Sequence, residues 1–167
     1  MKKLLIIIFT ALAFSAFSSS PVKLGHINST DLLRLMPELE AAELAMQTHN
    51  RELESQSRTM ITEYENLVNE FQANENQWSD LIKQTRIRAI HDLQARIENF
   101  QKDAEQEFEN KRNALFNPII EKAREAIAEV AKEHKYTYIF DTTVGALLYY
   151  SDSDDILELV KKKLNLK

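Results

Sequence analysis

Four histidines, His26, His49, His91 and His134, are the side chains of this sequence best suited to metal ligation or proton transfer, and their spacing serves neither. Helical metal motifs place two ligands three or four residues apart, and structural zinc sites draw on cysteine, of which there is none. His49 falls on an apolar stripe, so a buried or partner-facing polar role is the better reading. Asp152, Asp154 and Asp155 resemble a calcium loop only loosely, and cap a following helix more simply. No nucleophile stands beside a base, and no glycine-rich phosphate loop occurs. The chain reads as a non-enzyme with no cofactor and no metal.

Two other groups are suited to binding. Trp78, Lys83, Arg86 and Arg88 form a cationic cluster with one amphipathic aromatic, and no acid separates Lys83 from Arg88. Such a cluster suits an anionic membrane surface or an extended polypeptide segment. The plainer reading is a solvated helix face with Trp78 packed across a turn. Met46, Met60, Phe71, Phe100 and Phe108 are large, adaptable apolar groups able to meet many sequences. For any one of them, a place in the seam between two helices is the plainer reading.

These residues need an element to carry them. Between Pro37 and Pro118 there is neither glycine nor proline. A stretch that long without a breaker is helical, and one rod at ~1.5 Å per residue would be about 120 Å long, so it is expected to fold back. Its apolar positions run Leu39, Ala42, Met46, His49, Leu53, Gln56, Met60, then step by four to Tyr64 and continue through Leu67 and Phe71. This is a heptad seam with one stutter. A second seam runs Ile90, Leu93, Ile97, Phe100, Ala104, Phe108, Leu115, Ile119. Both stripes are narrow, so each helix has one partner side and much solvent. The turn is predicted within residues 74–80, where Asn74, Asn76, Ser79 and Asp80 cluster, with Ser79 or Asp80 capping the returning helix. Pro118 predicts a kink or break near Asn117.

The ends differ in kind. Residues 22–27 alternate as a short strand, Tyr136–Phe140 is rich in β-formers, and Ala146–Tyr150 reads as a further strand after a turn at 141–145. Ser151 to Asp155 then cap a last helix reaching about Leu164. Three short strands and two short helices make a base too small to be comfortable alone, which predicts oligomerisation.

Met1, Lys2 and Lys3 precede a run from Leu4 to Phe17 that is apolar except for Thr10 and Ser15, followed by Ser18-Ser19-Ser20-Pro21. This is the pattern of a secretory signal peptide, expected over residues 1–18, and it is short for a membrane span; a retained anchor is the competing reading. In the whole chain 26 acidic side chains outnumber 21 basic ones, and Lys2 and Lys3 would leave with the leader. No footprint for nucleic acid is evident.

In its order of parts the sequence resembles the Skp/OmpH family of periplasmic chaperones for outer-membrane proteins. The resemblance rests on the leader, the opening Lys23-Leu24-Gly25-His26-Ile27-Asn28-Ser29 with its exit through Leu32 to Pro37, and the long hairpin. Tyr136-Thr137-Tyr138-Ile139-Phe140-Asp141, Leu148-Tyr149-Tyr150, Asp155-Ile156 and Val160-Lys161 complete it. The resemblance implies a mainly α, α+β fold: a long antiparallel coiled-coil helical hairpin, residues 38–134, on a small β-sheet base formed by 19–37 and 135–167. It also implies a homotrimer, with Leu24, Ile27, Tyr138, Phe140, Leu148 and Tyr150 in its oligomerisation base.

The implied function is that of an ATP-independent periplasmic holdase. It would keep unfolded outer-membrane proteins in a cavity between the arms and prevent their aggregation. A structural coiled-coil adaptor of the cell envelope, with one fixed partner, is the alternative. The family's arms are cationic, whereas residues 38–77 here hold nine acids and two arginines.

Overall fold

The computed structural model describes residues 22–166, so the leader expected over residues 1–18 lies outside the described residues. Strand β1, Leu24–Ile27, leads directly into helix α1, Ser29–Arg34. Asn28 caps α1 by accepting from the Asp31 amide at 3.1 Å. Pro37 opens helix α2, Pro37–Asn74, at a position where a missing amide costs no helical hydrogen bond. One 3-10 turn, Glu75–Gln77, begins the reversal, and Ser79 starts helix α3, Asp80–Glu133, by accepting from the Ile82 amide. At ~1.5 Å per residue the two helices are about 55 Å and 80 Å long.

The chain then returns to its beginning. Lys135 adopts a left-handed φ of 60° just beyond α3, and strand β2, Tyr138–Asp141, pairs in parallel with β1. The register is Leu24 to Tyr138, Gly25 to Ile139, His26 to Phe140 and Ile27 to Asp141. Parallel neighbours need a long crossover; here the whole hairpin is that crossover. Helix α4, Leu157–Lys163, closes the base, and the Asp155 carboxylate accepts from the Leu157 amide at 2.8 Å.

Ile27, Leu32, Met36, Val130, Ile156 and Val160 are fully buried, so the core joins β1, α1, the end of α3 and the start of α4. A Cβ on Gly25 would stand 2.9 Å from the Tyr136 ring and 3.2 Å from Ile156. The missing side chain therefore lets both groups close over the strand.

Three expectations are corrected. Ala146–Tyr150 is not a strand, and the sheet has two strands among the described residues rather than three. One edge of β1 is taken by β2 and the other by a single bridge from His26 to Asp155, reinforced by the Ile156 amide donating to the His26 carbonyl at 3.0 Å. Among the described residues no further strand joins the outer side of β1 or of β2. The break expected near Asn117 does not occur, because α3 runs through Pro118 as one helix. Burial of Ile119 and Ala123 beside it holds the chain helical across the lost donor.

The third correction concerns the seam. Gln56 is exposed and Ser57 half-buried, so the stripe steps His49, Leu53, Ser57, Met60. The four-residue step thus falls one heptad earlier than the sequence pattern placed it. From Leu53 through the tip and back along α3 to Phe108, Leu93 alone among the described residues is fully buried.

Candidate functional site

The tip is an ordered turn. Phe71 of α2 and Trp78 meet edge to face with ring centroids 6.0 Å apart, and the Arg86 guanidinium lies 5.4 Å from the centre of the indole. The same guanidinium pairs with Glu70 at 3.1 Å across the hairpin. Arg86 therefore ties the two arms together and stacks on Trp78. Lys83 and Arg88 have no ion-pair partner among the described residues. Leu81, Ile82 and Ile87, which sequence reasoning did not single out, are exposed beside them. Their signal was present: they are apolar residues of the returning helix that lie off its seam.

Along the arms, Met46 is buried and Met60, Phe71, Phe100 and Phe108 are half-buried. All five lie in the seam, and two helices alone leave its flanks open. Leu53, Phe100, Ala104 and Phe108 floor a groove of about 580 Å³ along one side, edged by Asn50, Glu54, Glu105 and Glu109. On the seam itself, His49 is largely covered, with its Nδ1 3.9 Å from Glu52 and its Nε2 3.5 Å from Glu107. The Nε2 has no hydrogen-bond partner.

At the root, Lys122 of α3 donates to Glu38 of α2. That hydrogen bond holds the Glu38 carboxyl below its ordinary range. Lys163 of α4 reaches both Glu129 and Glu133 of α3, at 2.8 Å and 2.6 Å, and its ammonium is stabilised well above the usual lysine range by those two hydrogen bonds. The first pair links the two helices at the root of the arm, and the second ties α4 to the end of α3.

The base carries a cluster of uncovered apolar side chains. Tyr138 is 61% and Phe140 39% exposed on one face of β2, with Leu24 beside them, while Leu148 and Tyr149 are almost wholly exposed. Tyr150 lies against His26, ring centroids 4.4 Å apart, and His26 is itself buried with its Nε2 2.9 Å from the Ser151 carbonyl. Of the six residues assigned to the base surface, Ile27 lies inside the chain's own core and the other five are exposed or half-exposed. Tyr149, 87% exposed, belongs to the same surface although it was not among the six residues assigned to the oligomerisation base.

The remaining candidates stay dispersed. Among the described residues no group of three acids or histidines is placed to hold a metal, and no helix is long and apolar enough to cross a membrane. What the arrangement offers is surface: a half-covered apolar seam about 60 Å long, a tip where Lys83 and Arg88, unpaired among the described residues, stand beside exposed apolar side chains, and an apolar base face.

A family model described as outer membrane protein (OmpH-like) matches residues 23–164. Among solved structures, the chain is similar to a crystal structure from Caulobacter crescentus CB15, described as a candidate outer membrane chaperone (OmpH-like). The TM-score is 0.74 at 12% identity, over 90% of this chain and 88% of that one. At that identity the likeness establishes a shared fold. A search of curated protein sequences gives no significant match.

Proposed function

Because the chain belongs to the OmpH-like outer membrane protein family, we propose that it is an ATP-independent periplasmic holdase that sequesters unfolded outer-membrane proteins. The observation that carries this reading is the half-covered seam. A two-helix arm has no third element to bury Leu53, Phe100 and Phe108 completely, so an unfolded segment can complete their burial. Each contact is weak, and many along several arms add through avidity. Unfolded β-barrel chains present unpaired strand edges, and covering them blocks edge-to-edge association.

The cavity requires more than one arm. Leu24, Tyr138, Phe140, Leu148 and Tyr150 would be covered by further copies of the chain in a homotrimer, with Ala146–Tyr150 finding its pairing edge on a neighbour. The tip, with Lys83, Arg88 and Trp78 beside exposed Leu81 and Ile82, would contact client or an anionic membrane surface. No cofactor or nucleic acid takes part in this scheme, and the leader would deliver the chain to the periplasm.

The decisive experiment dilutes an outer-membrane barrel from urea into buffer with and without the purified protein. Suppressed light scattering at one trimer per client is the expected result; unchanged aggregation sinks the holdase reading. One stoichiometric partner in a pull-down, with no affinity for assorted unfolded chains, would instead establish the adaptor.

A further inference from the structure

We propose that the groove at mid-arm is a binding site for short cationic segments of unfolded polypeptide in which lysine or arginine flanks a large apolar residue. This rests on the holdase reading and narrows what is held. Phe100, Ala104 and Phe108 follow one another at four-residue intervals along α3 and form the apolar floor with Leu53 of α2. Glu105 and Glu109 form the adjacent row on α3, and Glu54 faces them from α2. The floor is thus edged by carboxylates on both sides.

The carboxylates are differently engaged. Glu54 accepts from the Asn50 side-chain amide at 2.7 Å, which fixes its position without neutralising it. Glu109 pairs with Arg112 at 2.9 Å, and neither Glu54 nor Glu105 has an ion-pair partner among the described residues. The groove therefore carries uncompensated negative charge over an apolar bed.

Its dimensions select the occupant. From Asn50 to Ser57 the helix rises about 10 Å, the length of roughly three extended residues at ~3.3 Å each. The groove volume of about 580 Å³ falls within the range of roughly 300–1,000 Å³ usual for ligand sites. The central side chain of such a triplet enters the floor. Flanking lysine or arginine stems are long enough to lie over the rim and place their charges at the carboxylates. An acidic triplet would meet repulsion on both sides.

The test uses two labelled nonapeptides, one repeating lysine and phenylalanine and the other with glutamate for every lysine, titrated against purified protein by fluorescence anisotropy. The cationic peptide is expected to bind about tenfold tighter at low salt, with the preference shrinking severalfold in ~0.5 M salt. The combined variant Glu54→Gln, Glu105→Gln, Glu109→Gln should lose about tenfold in affinity for it. A control with the same change in net charge, Glu40→Gln, Glu43→Gln, Glu75→Gln, should change it less than about twofold. All six side chains are exposed, and an unchanged helical circular dichroism signal verifies the fold.

Equal binding of the two peptides, or an equal loss in the control variant, overturns the assignment. A changed sedimentation coefficient in the groove variant alone also overturns it, by making the occupant a second copy of this chain. Aggregation suppression by the unaltered protein is read separately. Intact suppression without charge discrimination defeats the groove alone, and absent suppression defeats the holdase reading whatever the peptides do.

Discussion

The carboxylate of Asp141 lies 2.6 Å from the hydroxyl of Ser29, joining the last residue of β2 to the first residue of α1. The same carboxylate accepts from the Thr143 amide at 3.0 Å and hydroxyl at 2.8 Å. Burial pushes this carboxyl up, but the hydrogen bonds from Ser29 and Thr143 outweigh it and hold the group below the usual aspartate range.

A depressed carboxyl contributes stability above its unfolded pKa, roughly 3.9, and loses it as pH falls through the folded value. Asp141→Asn should therefore cost about 1–3 kcal/mol at pH 7. The gap to the unaltered protein should narrow below pH ~4. Urea midpoints at pH 7 and pH 3, at fixed protein concentration, measure both; equal midpoints at pH 7 would show that the network contributes nothing.

Gly25→Ala should destabilise by about 1–3 kcal/mol, because its new methyl meets the Tyr136 ring inside contact distance. In a Tyr136→Ala background the same substitution should cost at least ~1 kcal/mol less. A double-mutant cycle on thermal or urea unfolding reads the coupling directly.

His49→Leu should raise stability by about 1 kcal/mol, since it replaces a covered nitrogen without a hydrogen-bond partner by seam-filling carbon. A lower urea midpoint in the variant would mean that the contact with Glu107, at 3.5 Å, outweighs the seam.

How much of this was legible in the sequence varies by residue. Leu39, Ala42, Met46 and the run from Ile90 to Phe108 announce themselves, because a helix with one partner repeats its apolar side regularly. The shift from Gln56 to Ser57 did not, because Gln and Ser carry no hydropathic contrast to mark which of two adjacent positions faces inward. Leu147, Leu148, Tyr149 and Tyr150 have the composition of a strand, yet a strand exists only where it pairs: the outer side of β1 is bridged by Asp155, and these residues do not pair with the outer side of β2. The pairing of Arg86 with Glu70 was equally hidden: it joins residues 16 apart that become neighbours only once the turn is made. Separations on that scale lie outside any local pattern.

Trp78→Ala should loosen the tip without unfolding the arm. Its contacts with Phe71 and Arg86 are local, so amide exchange should speed up between about residues 71 and 86 while residues at the root stay protected. Faster exchange throughout α2 and α3 would instead make the tip a nucleus of the whole hairpin.

Leu148→Asp separates assembly from folding. Leu148 is wholly exposed in the single chain, so, if the proposed trimer forms through this face, the variant should keep its helical signal while sedimenting as a monomer at micromolar concentration where the unaltered protein is trimeric. A monomeric unaltered protein under the same conditions would remove the trimer, and the enclosed cavity with it.

The parallel pairing of β1 with β2 also sets an order of events. The Lys23 amide meets the Thr137 hydroxyl across a sequence separation of 114, and the two strands register alongside them. Such a non-local closure is slow for a flexible chain. Once α2 and α3 zip together from their turn, however, the effective loop shrinks to the few residues at the root. During synthesis from the N-terminus the first strand must wait, unpaired, until Tyr138–Asp141 appears after the whole hairpin. The protein thus carries an open strand edge of its own until the hairpin has formed, and its long arm shortens that interval by bringing the two ends of the chain together.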